Sequence, residues 1–241
     1  MIKTNRMKAE TIVNKLFEAM TERKAYLLAN DFVVSSEITK KNGLLDNFDP
    51  QGNAYNEFKI AVDKVKHVFD FGYLISVAAK AKPNGSNDAN YIQCKTFEKV
   101  VRFVKAFGHK DFRMLDPHTR VIAINALKNN GVVSSKGAFC ALTSLEMKDA
   151  VTDTLIDKRN YTPGTGSTQL SSTRELFRIL ALCDSIKGKK DAAIEFLPDV
   201  KIALLEHFDD VAKRVGYSAA SDDDSEDDSM TDDAIDAALS N

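Results

Sequence analysis

Apolar positions recur every three to four residues through most of this chain, and sustained two-residue alternation is absent. Ile12, Leu16, Ala19, Tyr26 and Leu27 keep helical spacing over residues 8–30. The Ala, Glu, Lys and Leu of that stretch favour helix intrinsically. Phe58, Val62, Val65, Phe69 and Leu74 form a second stripe. It predicts one long helix over 55–81, with Gly72 as a kink or a point of close approach. Lys82-Pro83-Asn84-Gly85 ends it. Over 95–107, Phe97, Val100, Val101, Val104 and Phe107 share one face and Lys95, Lys99, Arg102 and Lys105 the opposite one. Phe103 falls at the edge of the apolar arc, and Gly108 is placed to end the helix. Asp116 followed by Pro117 opens a helix to about residue 129, which Asn130-Gly131 closes.

Elsewhere the signals are shorter. Phe32-Val33-Val34 is the best strand candidate, residues 36–42 read as one or two helical turns ended by Gly43, and 46–53 as a loop. Residues 132–137 read as a turn and 138–142 as a helical turn. Two capping boxes, Thr143 with Glu146 and Ser172 with Glu175, predict helices over 143–159 and 172–187, separated by a polar loop at 160–171. Residues 191–197 and 198–215 complete the body, with Pro198 at a helix start or a kink. The class is all-α, with seven to eight helices and no internal repeat. Residues 1–217 form a compact body with a possible sub-boundary near 82–90, and 218–241 form a tail.

Charge changes the picture more than composition does. The 241 residues hold 33 Lys and Arg against 35 Asp and Glu, close to neutral. Asp222, Asp223, Asp224, Glu226, Asp227, Asp228, Asp232, Asp233 and Asp236 all fall after residue 217, with no Lys or Arg among them. Residues 1–217 therefore keep 33 basic against 26 acidic side chains, a formal +7. A basic body suits a polyanionic partner. The tail, rich in Asp and Ser and without an aromatic residue, predicts disorder. At its tip, Ile235, Ala238 and Leu239 would share one apolar face if a partner induced a helix.

Cys94, Cys140 and Cys183 are odd in number and far apart, which argues for a reducing compartment. The first 17 residues are basic without a continuous apolar segment, and no run of about 18 apolar residues occurs. A cytoplasmic protein with no membrane contact is the expectation. His67, His109, His118 and His207 have no Cys or His at metal-ligand spacing, so no metal site and no cofactor is expected. Pro163-Gly164-Thr165-Gly166-Ser167-Thr168 lacks the Gly-Lys-Ser/Thr ending of a phosphate loop and no strand precedes it. It reads as a flexible linker whose backbone could at most hold one phosphate. No catalytic signature is present, and no enzyme activity is expected.

Binding a strand without reading its sequence calls for cations along the phosphates and aromatic rings for the bases. Residues 95–113 have that composition: Lys95, Lys99, Arg102, Lys105, His109, Lys110 and Arg113 with Phe112 and Phe103, in that order, as stacking candidates. Lys158, Arg159 and Tyr161, followed by Arg174, form a second cluster, although Lys158 and Arg159 could simply complement a helix C-terminus. Residues 119–145 have a helix–turn–helix flavour, but the candidate second helix offers only Lys136 as a base-reading cation, so duplex reading ranks below strand binding.

The tail, DDDSEDDSMTDDAIDAALSN, is similar to the acidic tails of bacterial and phage single-stranded DNA-binding proteins, without the Pro-Phe ending common in bacterial members. Those proteins are usually β-barrels, which this helical chain is not expected to be. Over its full length the chain more closely resembles the non-β-barrel single-stranded DNA-binding cofactors of phage RNA polymerases, from tailed phages that carry a virion RNA polymerase. The resemblance rests on size, helical content, basic body and acidic tail rather than on a motif. It implies that the body holds single-stranded template and that the tail recruits a single-subunit phage RNA polymerase, in a host cytoplasm. The alternative is a non-enzymatic scaffold that binds an acidic protein surface.

Overall fold

The computed structural model describes residues 7–30, 43–80, 93–183 and 193–217. Nine α-helices and two short strands lie among them: α1 (Ala9–Ala29), α2 (Tyr55–Val65), α3 (Phe71–Ala78), α4 (Cys94–His109), α5 (Pro117–Lys128), β1 (Val132–Val133), α6 (Ser135–Thr143), α7 (Pro163–Ile179), β2 (Ile194–Glu195), α8 (Pro198–His207) and α9 (Asp209–Val215). The fold is predominantly helical, as the periodicity implies. The strand expected at 32–34, the turns at 36–42, the boundary near 82–90 and the acidic tail lie outside the described residues.

Helix α4 is the axis. It packs along α2 on one side and α7 on another, while α5, α6 and α7 pack pairwise on one another and α1 lies across α2 and α3. Being covered on two sides explains why α4 buries more than its apolar stripe. Phe103 sits edge-on between Phe69 and Phe177, with ring centroids 5.7 and 6.1 Å away. Phe107 meets Phe69 at 5.2 Å and Phe208 at 5.6 Å, and His207 stacks on it at 4.0 Å. The Nε2 of His207 lies 2.6 Å from the Phe107 carbonyl, which ties α8 to α4. One continuous cluster of buried residues runs from Ala9 to Val211.

The structure departs from the expected elements where a local polar group outbids the apolar period. The run over 55–81 is two helices, because Phe69 turns into the core and Asp70 caps α3 by accepting from the Tyr73 amide at 3.0 Å. Gly72 lies in the first turn of α3 rather than at a kink. The expected helix over 143–159 does not form. Thr143 closes α6, with its hydroxyl donating to the Phe139 carbonyl at 2.8 Å, and Ser144 turns left-handed at φ 55°. The irregular chain that follows is pinned by Asn125, whose side chain donates to the Asp157 carbonyl at 2.7 Å and accepts from the Ile156 amide at 2.8 Å.

The expected loop at 160–171 is instead the first half of α7. Thr162 caps it and Pro163 takes its first position. Ser172, read as a capping residue, is buried mid-helix. Residues 194–195 (β2), in the 191–197 segment to which the sequence assigns no element, pair antiparallel with 132–133, Val132 opposite Glu195 and Val133 opposite Ile194. Cys183 bridges to Phe196 on the other side of that strand. The helix expected over 198–215 breaks at the buried Phe208.

Gly108 does not end α4; Lys110 does, in the left-handed region at φ 56°. A Cβ on Gly108 would lie 2.7 Å from the Ala61 Cα, so this glycine sets how closely α2 and α4 approach. Gly108→Ala is therefore expected to destabilise the fold by about 1–3 kcal/mol through overpacking, in spite of alanine's better helix propensity. Urea unfolding followed by circular dichroism measures this.

Candidate nucleic-acid interface

Lys95, Lys99 and Arg102 share a face of α4, but they are not equivalent. Lys99 is buried. Its ammonium donates to Asp116 at 2.7 Å, to Thr173 at 3.1 Å and to Thr119 at 3.4 Å, joining α4 to α7 and to the N-terminus of α5. Burial pulls the Lys99 ammonium below its ordinary pKa, against the attraction of Asp116. Burial would raise the Asp116 carboxyl, but hydrogen bonds from His118, Lys99 and Thr119, with the Lys99 charge, hold it well below the usual carboxylate range. Lys99 thus has no charge to offer a phosphate, which corrects the sequence assignment. Lys95 is half-buried and Arg102 exposed on the same face.

The expected stacking residues of this segment are corrected as well. Phe103 is enclosed by Phe69 and Phe177, and Phe112 packs edge-on to Phe208 at 5.2 Å; both are buried and present no face to a base. Lys105 pairs with Glu57 at 2.7 Å and His109 approaches the same carboxylate at 3.7 Å, both turned toward α2. Lys110 shares a hollow with Glu206, Asp209 and Asp210, and Arg113 is held at 3.0 Å by Asp111, two residues away. Residues 95–113 are therefore not one basic track. Cations face three directions, and carboxylates answer most of them.

The second cluster also separates. Lys158 is exposed, and Arg159 lies 3.7 Å from Asp157, which Arg214 also approaches. No helix ends there, so the dipole reading of these two cations falls away. The Tyr161 ring leans on His118 at 4.5 Å and is partly buried against the core. Arg174 lies farther along α7 and lines a different surface.

That surface is a groove of about 420 Å³ between α6 and α7. Ser135, Lys136 and Phe139 line it from α6, Ser167, Leu170, Ser171, Arg174, Glu175 and Arg178 from α7, and Met147 from the 144–162 connection. Lys136 reaches the Lys148 carbonyl at 3.4 Å, and Asp149 lies 3.9 Å away. Arg178 pairs with Glu175 and donates to the Tyr73 hydroxyl at 2.6 Å. The two helices cross tightly at Gly166, where a Cβ would lie 2.4 Å from the Thr143 methyl.

No protein-family model, curated protein or solved structure matches this chain.

Sequence reading found Arg174 but missed its neighbours. Ser167, Ser171, Arg174 and Arg178 recur at helical spacing, a signal hidden by assigning 160–171 to a loop. Thr162 followed by Pro163 is the helix start that would have exposed it. Among the described residues, no three His, Cys, Asp or Glu side chains could hold a metal ion, and no helix is long and apolar enough to cross a membrane. Cys94, Cys140 and Cys183 are buried and form no disulfide.

The Lys99 node gives a test of its own. Lys99→Met leaves Asp116 buried beside an apolar side chain and is expected to cost about 3–5 kcal/mol. Adding Asp116→Asn keeps a capping residue, removes the stranded charge and recovers most of that loss. Because the Asp116 carboxyl is depressed in the fold, its contribution is complete above about pH 4 and is lost as pH falls below that. The acid limb of the stability profile should flatten in the double variant, as urea midpoints between pH 2 and pH 6 would show.

Proposed function

We propose that this protein binds single-stranded DNA without catalysing a reaction, as a cofactor of a phage single-subunit RNA polymerase in transcription, with replication as a further setting. The observation that carries this reading is the separation of charge. A body of formal charge +7 is followed by a segment with nine acids and no base. Cations on the body gain free energy by releasing counterions from phosphates. The acidic segment acts as a tethered competitor for the same surface, at a high effective concentration set by its short linkage. It also offers Ile235 and Leu239, beside Asp233 and Asp236, to a polymerase. The full-length resemblance supports the polymerase and the single strand; the charge pattern supports only a polyanion.

Fluorescence anisotropy of a labelled poly-dT strand tests the reading, with the full chain, a chain ending at Tyr217, and random duplex as competitor. Strand-selective binding that tightens about tenfold without residues 218–241 is expected. Equal affinity of the two chains would remove the competing role of the segment. No binding by either at low salt would remove nucleic acid from the account and leave the scaffold reading.

A further inference from the structure

We infer that the α6–α7 groove is where the single strand lies, with Phe139 as the stacking ring and Lys136, Arg174 and the Ser167 and Ser171 hydroxyls on the phosphates. This rests on the nucleic-acid reading above and gives it a surface. Three observations converge on the groove.

The first is its chemistry. A single strand needs cations, neutral hydrogen-bonding groups and an aromatic face within reach of one another. Residues 95–113 have those residue types, but the fold buries the rings and turns the cations away from one another. The groove keeps them together: Phe139 is partly exposed, Met147 stands by it, and Lys136, Ser167, Ser171 and Arg174 line the same space. Glu175 is the one carboxylate among the lining residues and pairs with Arg178, and Asp149 approaches Lys136 at 3.9 Å.

The second is its place in the fold. The chain from α5 runs helix, strand, helix, helix, and then into a small antiparallel sheet. Strand β2 pairs with 132–133 in that two-stranded sheet, and the next residue, Phe196, makes an isolated bridge to Cys183. Helices α5, α6 and α7 pack pairwise, and α6 and α7 touch closely at Gly166 and Thr143. In helix–turn–helix modules a helix pair of this kind turns toward nucleic acid.

The third decides between strand and duplex. Entering a major groove about 12 Å wide takes a projecting helix. Here residues 144–162 replace the usual short turn, and Met147 from that connection lines the groove together with the α7 side chains. The surface is a trough rather than a ridge, and a trough fits one strand.

The test uses the full chain, labelled poly-dT and a salt series. Arg174→Gln and Lys136→Gln should each weaken binding about tenfold and lower the slope of log K against log salt by about 0.7. Phe139→Leu should weaken binding about tenfold with the slope unchanged, because a ring releases no counterion. Arg102→Gln and Lys110→Gln, outside the groove, should stay within about twofold. Thermal unfolding of each variant separates loss of fold from loss of contact, and the salt slope does so independently. Wild-type binding with unaltered groove variants, or with losses at Arg102 and Lys110 instead, would overturn the groove and leave the binding function standing. Failure of the unmodified chain to bind would overturn both. Preference for duplex over poly-dT would overturn the single-strand assignment.

Discussion

The buried contact between Lys99 and Asp116 is the constraint on which the second half of this protein depends. Asp116 does two things with one carboxylate: it caps α5 through the Thr119 amide, and it receives the Lys99 ammonium. Thr173 completes the node from α7. Three helices are thereby fixed by groups that are costly to leave unmet in a low-dielectric interior. Apolar packing, with Phe103 of α4 edge-on to Phe177 of α7, holds α4 and α7 together as well. The node adds directional contacts to that packing, and with Thr173 turned to Lys99 the Ser167, Ser171, Arg174 and Arg178 positions line the groove.

The outward face of α7 carries Ser167, Ser171, Arg174 and Arg178, and α6 lies alongside with Lys136 and Phe139. The account of function follows from that position. On α4, Lys99 and Lys105 are met by Asp116 and Glu57 while Arg102 stays exposed, and Lys110 stands among the acids of α8 and α9. The cations of the helix whose sequence looks most basic therefore do not form one continuous track. On the proposed reading the basic excess of the body acts through the α6–α7 trough, and the acidic segment opposes it.

Much of the fold was legible from apolar spacing alone. Helices α1, α4 and α5 fall within a few residues of where the stripes and the Asp116-Pro117 start place them. The misreadings share a cause. Thr143 with Glu146 and Ser172 with Glu175 satisfy the capping-box pattern, yet one threonine closes a helix and Ser172 lies inside one, because a four-residue pattern carries no information about what precedes it. The glycines at 164 and 166 suggested a loop, whereas Gly166 is there for a helix crossing. Periodicity shows which residues are apolar but not how many sides of a helix are covered. Lys99, Phe103 and Phe112 were therefore placed at the surface although α4 and its continuation are packed from two directions. The groove joins residues as far apart as Ser135 and Arg178, across a connection that follows no periodic rule, and no local pattern could have assembled it.

The most direct measurement is photo-crosslinking of an iododeoxyuridine-substituted strand to the unmodified chain, followed by tryptic mapping. The account predicts adducts on the peptide spanning residues 137–148, which contains both Phe139 and Met147. Adducts confined to the peptide spanning residues 111–113, which contains Phe112, would contradict it and place the strand at the end of α4.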